Sequence, residues 1–156
     1  MKKMTIENIA EILQAQLFRS TDFQDNPIEK IITDSRSFFD IQRSVFVALK
    51  GPRNNGHNYI ETLIEKGVSA FIVSETGVIS EKAAFILVPD TTKALQQLAA
   101  FVLQQFNYPV IGITGSNGKT IVKEWLFSIL SGQFKIVRNP KSYNSQVGVP
   151  LSVLLM

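Results

Sequence analysis

Three stretches before residue 106 carry apolar residues at helical spacing. The first covers residues 6–17 and follows Thr5, whose hydroxyl can cap the start of a helix. The second covers residues 60–67 and ends at Gly67, a residue type that often terminates helices. The third covers residues 91–105. The pattern therefore predicts three helices, and we expect the first of them to pack on a sheet.

Short, continuous apolar runs alternate with these helices and predict buried strands. They cover residues 30–33, 44–49, 70–73 and 84–88. A loop rich in Gly, Pro and Asn separates the second run from the helix that follows it. Because strands and helices alternate, the sequence predicts an α/β domain that ends near Phe106.

A second unit is predicted to start after a short boundary at residues 107–109. Its elements would be a strand at 110–113, a helix from about Gly118 to Leu130, a strand at 135–138 and a helix within 147–155. We divide the chain into domains at residues 1–107 and 108–156. The second is far shorter than the ~100 to 200 residues of a usual domain, so the sequence predicts that it is incomplete.

Composition limits the classes of function. With 45% hydrophobic residues among 156, the chain can bury a core. Its 16 basic and 13 acidic residues leave a net charge of +3 without a dense basic patch, so no nucleic-acid partner is implied. The chain has no cysteine, which excludes disulfides and fits a cytoplasmic location. No secretory signal or membrane span is recognisable, so no membrane association is expected.

Residues 114–120, with the letters TGSNGKT, lie between a predicted strand and a predicted helix. Glycines here let successive backbone N–H groups converge on phosphate oxygens, and the helix dipole adds positive potential. Lys119 would supply a cation for the terminal phosphates, and Thr120 a hydroxyl for a magnesium ion. The general pattern is G-x-x-x-x-G-K followed by Ser or Thr, and Ile113 stands where its first glycine is expected. The stretch still predicts a nucleoside triphosphate site formed by Gly115, Ser116, Asn117, Gly118, Lys119 and Thr120.

Four separated segments resemble the Mur ligase family. They are TDSR at 33–36, VFVALKG at 45–51 with NGHNY at 55–59, GITGSNGKT at 112–120, and YNSQVGVPL at 143–151. Within the family they are most similar to the branch that joins D-alanyl-D-alanine to UDP-N-acetylmuramoyl-tripeptide, and in particular to its form fused upstream of an alanine racemase. The resemblance implies a small N-terminal α/β domain for the UDP substrate, followed by the truncated start of a P-loop ATP-binding α/β domain.

The resemblance also implies that the first domain binds the UDP end of the substrate through Ser35, Arg36, Lys50, Gly51, Gly56 and His57. Ser35 offers a hydroxyl, Arg36 a bidentate cation for a diphosphate, and Lys50 a second charge. The glycines would let backbone approach the ligand, and His57 lies where a helix begins. The family usually has Asp where this chain has Asn55, which puts a carboxylate role there in doubt. The alternative is structural, with a capped turn and surface ion pair around Arg36 and with His57 as a helix cap.

For the reaction, the resemblance implies ATP and Mg²⁺ as cofactors of a ligase in peptidoglycan precursor synthesis. The terminal carboxylate of UDP-N-acetylmuramoyl-tripeptide would attack the γ-phosphate to give an acyl phosphate, and the amine of D-alanyl-D-alanine would displace phosphate. Lys119 is the candidate catalytic residue and Thr120 the candidate metal ligand. Asn144 would contact the nucleotide or the metal region, with helix capping as the alternative. Further metal-binding acids and the amino-acid-binding domain would follow Met156, so we expect these 156 residues alone to be inactive.

The residues alone leave two other functions open. A small-molecule kinase of the P-loop type would use Gly118, Lys119 and Thr120 but would not need the segments between Asp34 and His57. A non-catalytic module that binds UDP-sugars would need those segments and would not turn over ATP. Nucleic-acid binding is disfavoured because the aromatic residues are scattered and no basic stripe accompanies them.

Overall fold

A single five-stranded sheet forms the centre of the computed structural model, which describes residues 4–36, 43–52, 54–139 and 145–155. The strands are β1 (Gln16–Phe18), β2 (Lys30–Ile32), β3 (Ser44–Val47), β4 (Ala70–Val73) and β5 (Ala84–Leu87). Their spatial order is β1-β5-β4-β3-β2, with β2 to β5 parallel and β1 antiparallel to β5. The four strands predicted before residue 106 are therefore confirmed, each ending within one or two residues of its expected limit.

The helices are α1 (Ile6–Leu13), α2 (Ile60–Glu65), α3 (Thr91–Gln104), α4 (Lys119–Leu130) and α5 (Gly148–Val153), and a 3₁₀ turn (Gly56–Tyr59) leads into α2. A capping box starts α1, because Thr5 and Asn8 each accept a hydrogen bond from the other's backbone N–H. Asp90 caps α3 by accepting from Thr92 and Lys93. In the described ranges, no helix has the length and apolar character needed to cross a membrane.

The predicted extent of the first helix was wrong at its end. Gln14 has a φ of 50°, and its backbone N–H donates to the carbonyls of Ala10 and Glu11, which closes α1. Leu17, expected on the helix, instead lies in β1 opposite Ile86. It packs against the same core as α1, so its apolar character fits a strand as well as it fits a helix.

The two faces of the sheet bury different side chains. Val45, Val47, Ala70, Ile72, Ala84 and Ile86 point to the face covered by α1 and α3. On the other face, under α2, the parallel register places Phe46, Phe71 and Phe85 in one row across three strands. The rings of Phe71 and Phe85 are stacked with centroids 5.3 Å apart, and Phe46 meets Phe71 edge-on at 6.2 Å. Each such aromatic pair adds about 0.5–1.5 kcal/mol beyond burial.

The strands predicted at 110–113 and 135–138 are not formed. Val110 and Ile111 are 70% and 63% exposed, and neither segment pairs with another strand in the described ranges. A strand needs a neighbouring backbone to accept and donate its hydrogen bonds, and no such neighbour is present for either segment there. The second segment instead packs on α4, where Arg138 pairs with Glu124 and lies 3.9 Å from the ring centroid of Phe127.

Helix α5 lies in the second predicted domain but packs against α3 of the first. Leu154, just after α5, is buried in the core that α1 and α3 share. The side-chain amide of Gln96 in α3 also donates to the carbonyl of Gln146 at 3.2 Å. Residues 145–155 are therefore held by the N-terminal unit, although they follow α4 in the chain.

Gly56 is required by the close approach of the 3₁₀ turn to the end of β3. A Cβ at this position would lie 2.8 Å from the Leu49 nitrogen and 2.9 Å from the Ala48 Cα, both backbone atoms. We therefore expect Gly56→Ala to lower the free energy of unfolding by about 1–3 kcal/mol, as overpacking does elsewhere.

Chemical denaturation of both variants measures this effect, with Gly77→Ala as the matched control. A Cβ at Gly77 meets nothing within 4 Å, so the control should stay within about 0.5 kcal/mol of the parent. Equal stability of the two variants would contradict the expected clash.

Candidate functional site

The predicted substrate residues gather at one edge of the sheet. Because β2, β3 and β4 are parallel, their carboxyl ends lie side by side, and ligands of such sheets bind at that edge. Ser35 and Arg36 follow β2, and Lys50, Gly51 and His57 follow β3. The topology thus brings together two segments that are separated along the chain.

The loop after β2 holds Arg36 in a fixed orientation. Its guanidinium donates to both carboxylate oxygens of Asp34, at 2.9 and 2.8 Å, and its backbone N–H donates to the same side chain at 3.0 Å. These hydrogen bonds, the side-chain pair first, lower the pKa of Asp34 to about 2. The Arg36 side chain is nevertheless 84% exposed, so its remaining donors face solvent.

A surface cavity of about 210 Å³ adjoins this arginine. It is lined by Ser35, Arg36, Tyr59, Thr62, Leu63 and Lys66. Its wall therefore combines two cations, two hydroxyl groups from Ser35 and Thr62, and an aromatic ring. Tyr59, Thr62 and Lys66 were not predicted as site residues. Tyr59 belongs to a segment used only to identify the family, and the helix of Thr62 was recognised from its apolar positions alone.

The loop after β3 closes on itself and on the end of β4. Lys50 and Asn55 pair as an isolated antiparallel bridge, and the Gly51 N–H donates to the carbonyl of Asn54 at 2.8 Å. The Lys50 ammonium then donates to Glu75 at 2.9 Å, and the Asn55 amide donates to the same oxygen at 3.1 Å. Lys50 is 64% exposed, so it is anchored and still reachable from solvent.

His57 occupies the interior of this loop. Its ring is buried, and Nε2 accepts a hydrogen bond from the Ser74 backbone N–H at 2.9 Å. Nε2 is therefore unprotonated, and Nδ1 carries the proton that it donates to the Asn55 oxygen at 2.7 Å. Both ring nitrogens are thus engaged within the protein, and they connect the loop after β3 to the end of β4. The contact between His57 and substrate stays a prediction.

Residues 114–120, the predicted phosphate-binding loop (the phosphate loop), have the backbone conformation that their glycines predict. Gly115 and Gly118 have φ values of 145° and 77°, which side chains disfavour. Gly118 starts α4 without a side-chain cap, so the first N–H groups of the helix have no capping side chain as acceptor. The Lys119 ammonium folds back to the carbonyls of Gly115 and Ser116, and Thr120 lies beside it in the lining of a cavity of about 290 Å³.

Other predicted residues lie apart from these two sites. Asn144 is outside the described residues. Lys123, one turn after the phosphate loop, donates to the Asn139 carbonyl at 3.0 Å and pairs with Glu124, so it ties α4 to the segment after it. In the part of the chain that the structure describes, no group of three acidic, His or Cys side chains could hold a metal ion.

Sequence reasoning missed the part played by Ser74 and Glu75. Both residues follow a strand that the sequence predicts, β4, at the same edge as the predicted substrate residues. Their position directly after a buried parallel strand was the available signal. Their partners Lys50, Asn55 and His57 are 17 to 25 positions away, a separation that no local pattern encodes.

His57 should titrate below the ordinary histidine pKa of 6.5, because burial disfavours the charged ring and the carboxylate of Glu75 offsets this only in part. A histidine with a lowered pKa stabilises the fold above pH 6.5, and that stability is lost as the pH falls through its folded value. Since the chain has one histidine, the ring protons in a proton NMR titration belong to His57. The chain unfolded in urea is the control. A folded midpoint at or above 6.5 would contradict the buried, neutral ring.

Comparisons with known proteins agree with the predicted family. The model of the Mur ligase family, catalytic domain, matches residues 27–102. The UDP-N-acetylmuramoyl-tripeptide–D-alanyl-D-alanine ligase of Bacillus subtilis is 39% identical, over 100% of this chain and 34% of the relative. The ligase of the same name from Synechocystis is 35% identical, over 97% of the chain and 34% of the relative.

Solved structures give the same result. A crystal structure of MurF from Acinetobacter baumannii matches with a TM-score of 0.87 at 32% identity, covering 100% of this chain and 34% of that one. MurF ligase from Thermotoga maritima, solved in complex with ADP, matches with a TM-score of 0.71 at 33% identity, covering 81% and 29%.

The chain spans about a third of the length of the relatives that it matches. These relatives are named as ligases, which supports the predicted ligase over the small-molecule kinase and the non-catalytic binding module. The α/β fold, the matching residues 27–102 and the similarity along the whole chain lead to one conclusion: the chain belongs to the Mur ligase family.

Proposed function

We propose that this chain supplies the UDP-substrate site and the phosphate loop of an ATP-dependent ligase in peptidoglycan precursor synthesis. The complete enzyme would join D-alanyl-D-alanine to UDP-N-acetylmuramoyl-tripeptide through an acyl phosphate. Residues 1–107 would form the substrate domain and residues 108–156 part of the ATP-binding domain, with α5 resting on the first. A cytoplasmic location follows from the proposal, since the reaction consumes ATP and a nucleotide-linked precursor.

The observation that carries this proposal is the pair of cations at the carboxyl edge of the sheet. Arg36 and Lys50 extend from the loops after β2 and β3, which are adjacent strands, and each is tethered by one carboxylate while remaining exposed. A diphosphate carries two charged groups in close succession, and a guanidinium together with an ammonium matches it. The Ser35 hydroxyl would add a hydrogen bond to the same ligand, and Gly51, which has no side chain, would let the ligand approach the loop backbone.

The ATP site would be the phosphate loop and the first turn of α4. The N–H groups at the start of α4 and the helix dipole favour the phosphates of a nucleotide, and Lys119 would exchange its loop carbonyls for phosphate oxygens. The Thr120 hydroxyl fits a magnesium ion that takes its other ligands from phosphate and water. Such an ion neutralises charge on the transferring phosphoryl group. Lys119 would hold the same phosphates, and Asn144 remains a proposed contact.

Substrate binding can be tested directly by calorimetric titration of the chain with UDP-N-acetylmuramic acid. We expect Arg36→Ala and Lys50→Ala each to weaken binding by about 1–3 kcal/mol, the range of a lost charge-assisted hydrogen bond. Lys82→Ala is the control for net charge, because Lys82 is exposed and precedes β5 at the opposite edge of the sheet.

Circular dichroism must first establish that each variant is folded. If the folded parent fails to bind, or if Lys82→Ala weakens binding as much as the other two, the proposed substrate site is wrong. Loss confined to the Arg36 and Lys50 variants would support it.

A further inference from the structure

Glu75 forms the centre of a hydrogen-bonded cluster that the proposed reaction does not use. One of its carboxylate oxygens accepts from the Lys50 ammonium at 2.9 Å and from the Asn55 amide at 3.1 Å. These hydrogen bonds, that of Lys50 first, lower the pKa of Glu75, so the carboxylate is ionised at neutral pH. The Lys50 ammonium has three donors, and among the described residues this contact occupies one of them. The others are available to a ligand.

The cluster is anchored from beneath by the buried ring of His57. Asn55 accepts from both the backbone N–H and the ring of His57, at 3.1 and 2.7 Å. The His57 ring in turn accepts from the backbone of Ser74, the residue before Glu75. These hydrogen bonds therefore form a closed network between two neighbouring segments, and they fix the loop after β3 against the end of β4. Glu75 holds Lys50 from a rigid base rather than from a free loop.

We propose that Glu75 is a positioning residue, whose carboxylate holds the Lys50 ammonium at the edge of the sheet in the orientation that binds the substrate diphosphate. The inference rests on the proposed function and adds a residue from the neighbouring strand to its site. A lysine side chain has four flexible carbon–carbon torsions, so its free form populates many rotamers. Fixing it before the ligand arrives removes part of the ordering cost of binding.

The placement also accounts for the neutral side chain at position 55. An acid there would set a second carboxylate against Glu75, since the Asn55 nitrogen lies 3.1 Å from the Glu75 oxygen. Because Asn55 donates a hydrogen bond, the Glu75 carboxylate accepts from both Asn55 and Lys50 without a second carboxylate beside it. Exchanging the two groups by the double change Asn55→Asp with Glu75→Gln would keep one carboxylate beside Lys50 and reverse the hydrogen bond between the two side chains.

The test is titration calorimetry with UDP-N-acetylmuramic acid on the 156-residue chain and its variants. We expect Glu75→Gln to weaken binding about five- to tenfold, Asn55→Asp to weaken it as well, and the double variant to recover to within about twofold of the parent. In a Lys50→Ala background, Glu75→Gln should have no further effect, because its action passes through that lysine. Glu81→Gln, an exposed acid before β5, is the control for charge.

A merely structural role would weaken binding equally with and without Lys50, and that result would overturn the proposal. Unchanged or tighter binding by Glu75→Gln would also overturn it, the latter because the carboxylate would then compete with the ligand. Both results leave the proposed function standing, since the parent still binds. If the folded parent and every variant fail to bind, the proposed function itself falls, and the role of Glu75 falls with it.

Discussion

Parallel pairing of β2, β3 and β4 aligns their carboxyl ends, and each loop that carries a candidate substrate contact starts from that row. The register is fixed from both sides of the sheet. On one face, Phe46, Phe71 and Phe85 form a continuous aromatic row, and on the other Val47 and Ile72 pack under α1 and α3. A slip of one residue would turn the buried side chains of the slipped strand to the opposite face, so the buried pattern also determines where the site residues emerge.

Beyond the carboxyl ends of the strands, the arrangement of the candidate substrate site depends on a small polar cluster as much as on the strands. His57 lies beneath the surface and connects Asn55 of one loop to Ser74 of the next, while Glu75 reaches over to Lys50. A buried polar group is tolerated only when its hydrogen bonds are made, and both ring nitrogens of His57 have partners. The histidine therefore contributes order to the loops, while Arg36 and Lys50 remain exposed as the proposed contacts for the charged ligand.

The sequence predicted those parts of the fold and of the candidate site that depend on residues close together in the chain. Buried strands and the helix at α3 have local signatures, and so does the phosphate loop, whose positive φ values follow from Gly115 and Gly118. The strand expected at 110–113 failed because strand formation needs a partner that no local pattern supplies. Glu75 was missed for the same reason, since its partners come from another loop. A purely local feature also caused an error at Gln14. This residue adopts a left-handed conformation that ends α1, so Leu17 lies in a strand and not in the predicted helix.

The most direct test of this account is a backbone amide NMR titration of the isotopically labelled chain with UDP-N-acetylmuramic acid. Binding at the carboxyl edge predicts shifts that concentrate at Ser35, Arg36, Lys50, Gly51 and Glu75, with the phosphate loop unchanged. Shifts confined to residues 115–120, or no shifts in a folded chain, would contradict the central claim that the loops after β2, β3 and β4 form the substrate site.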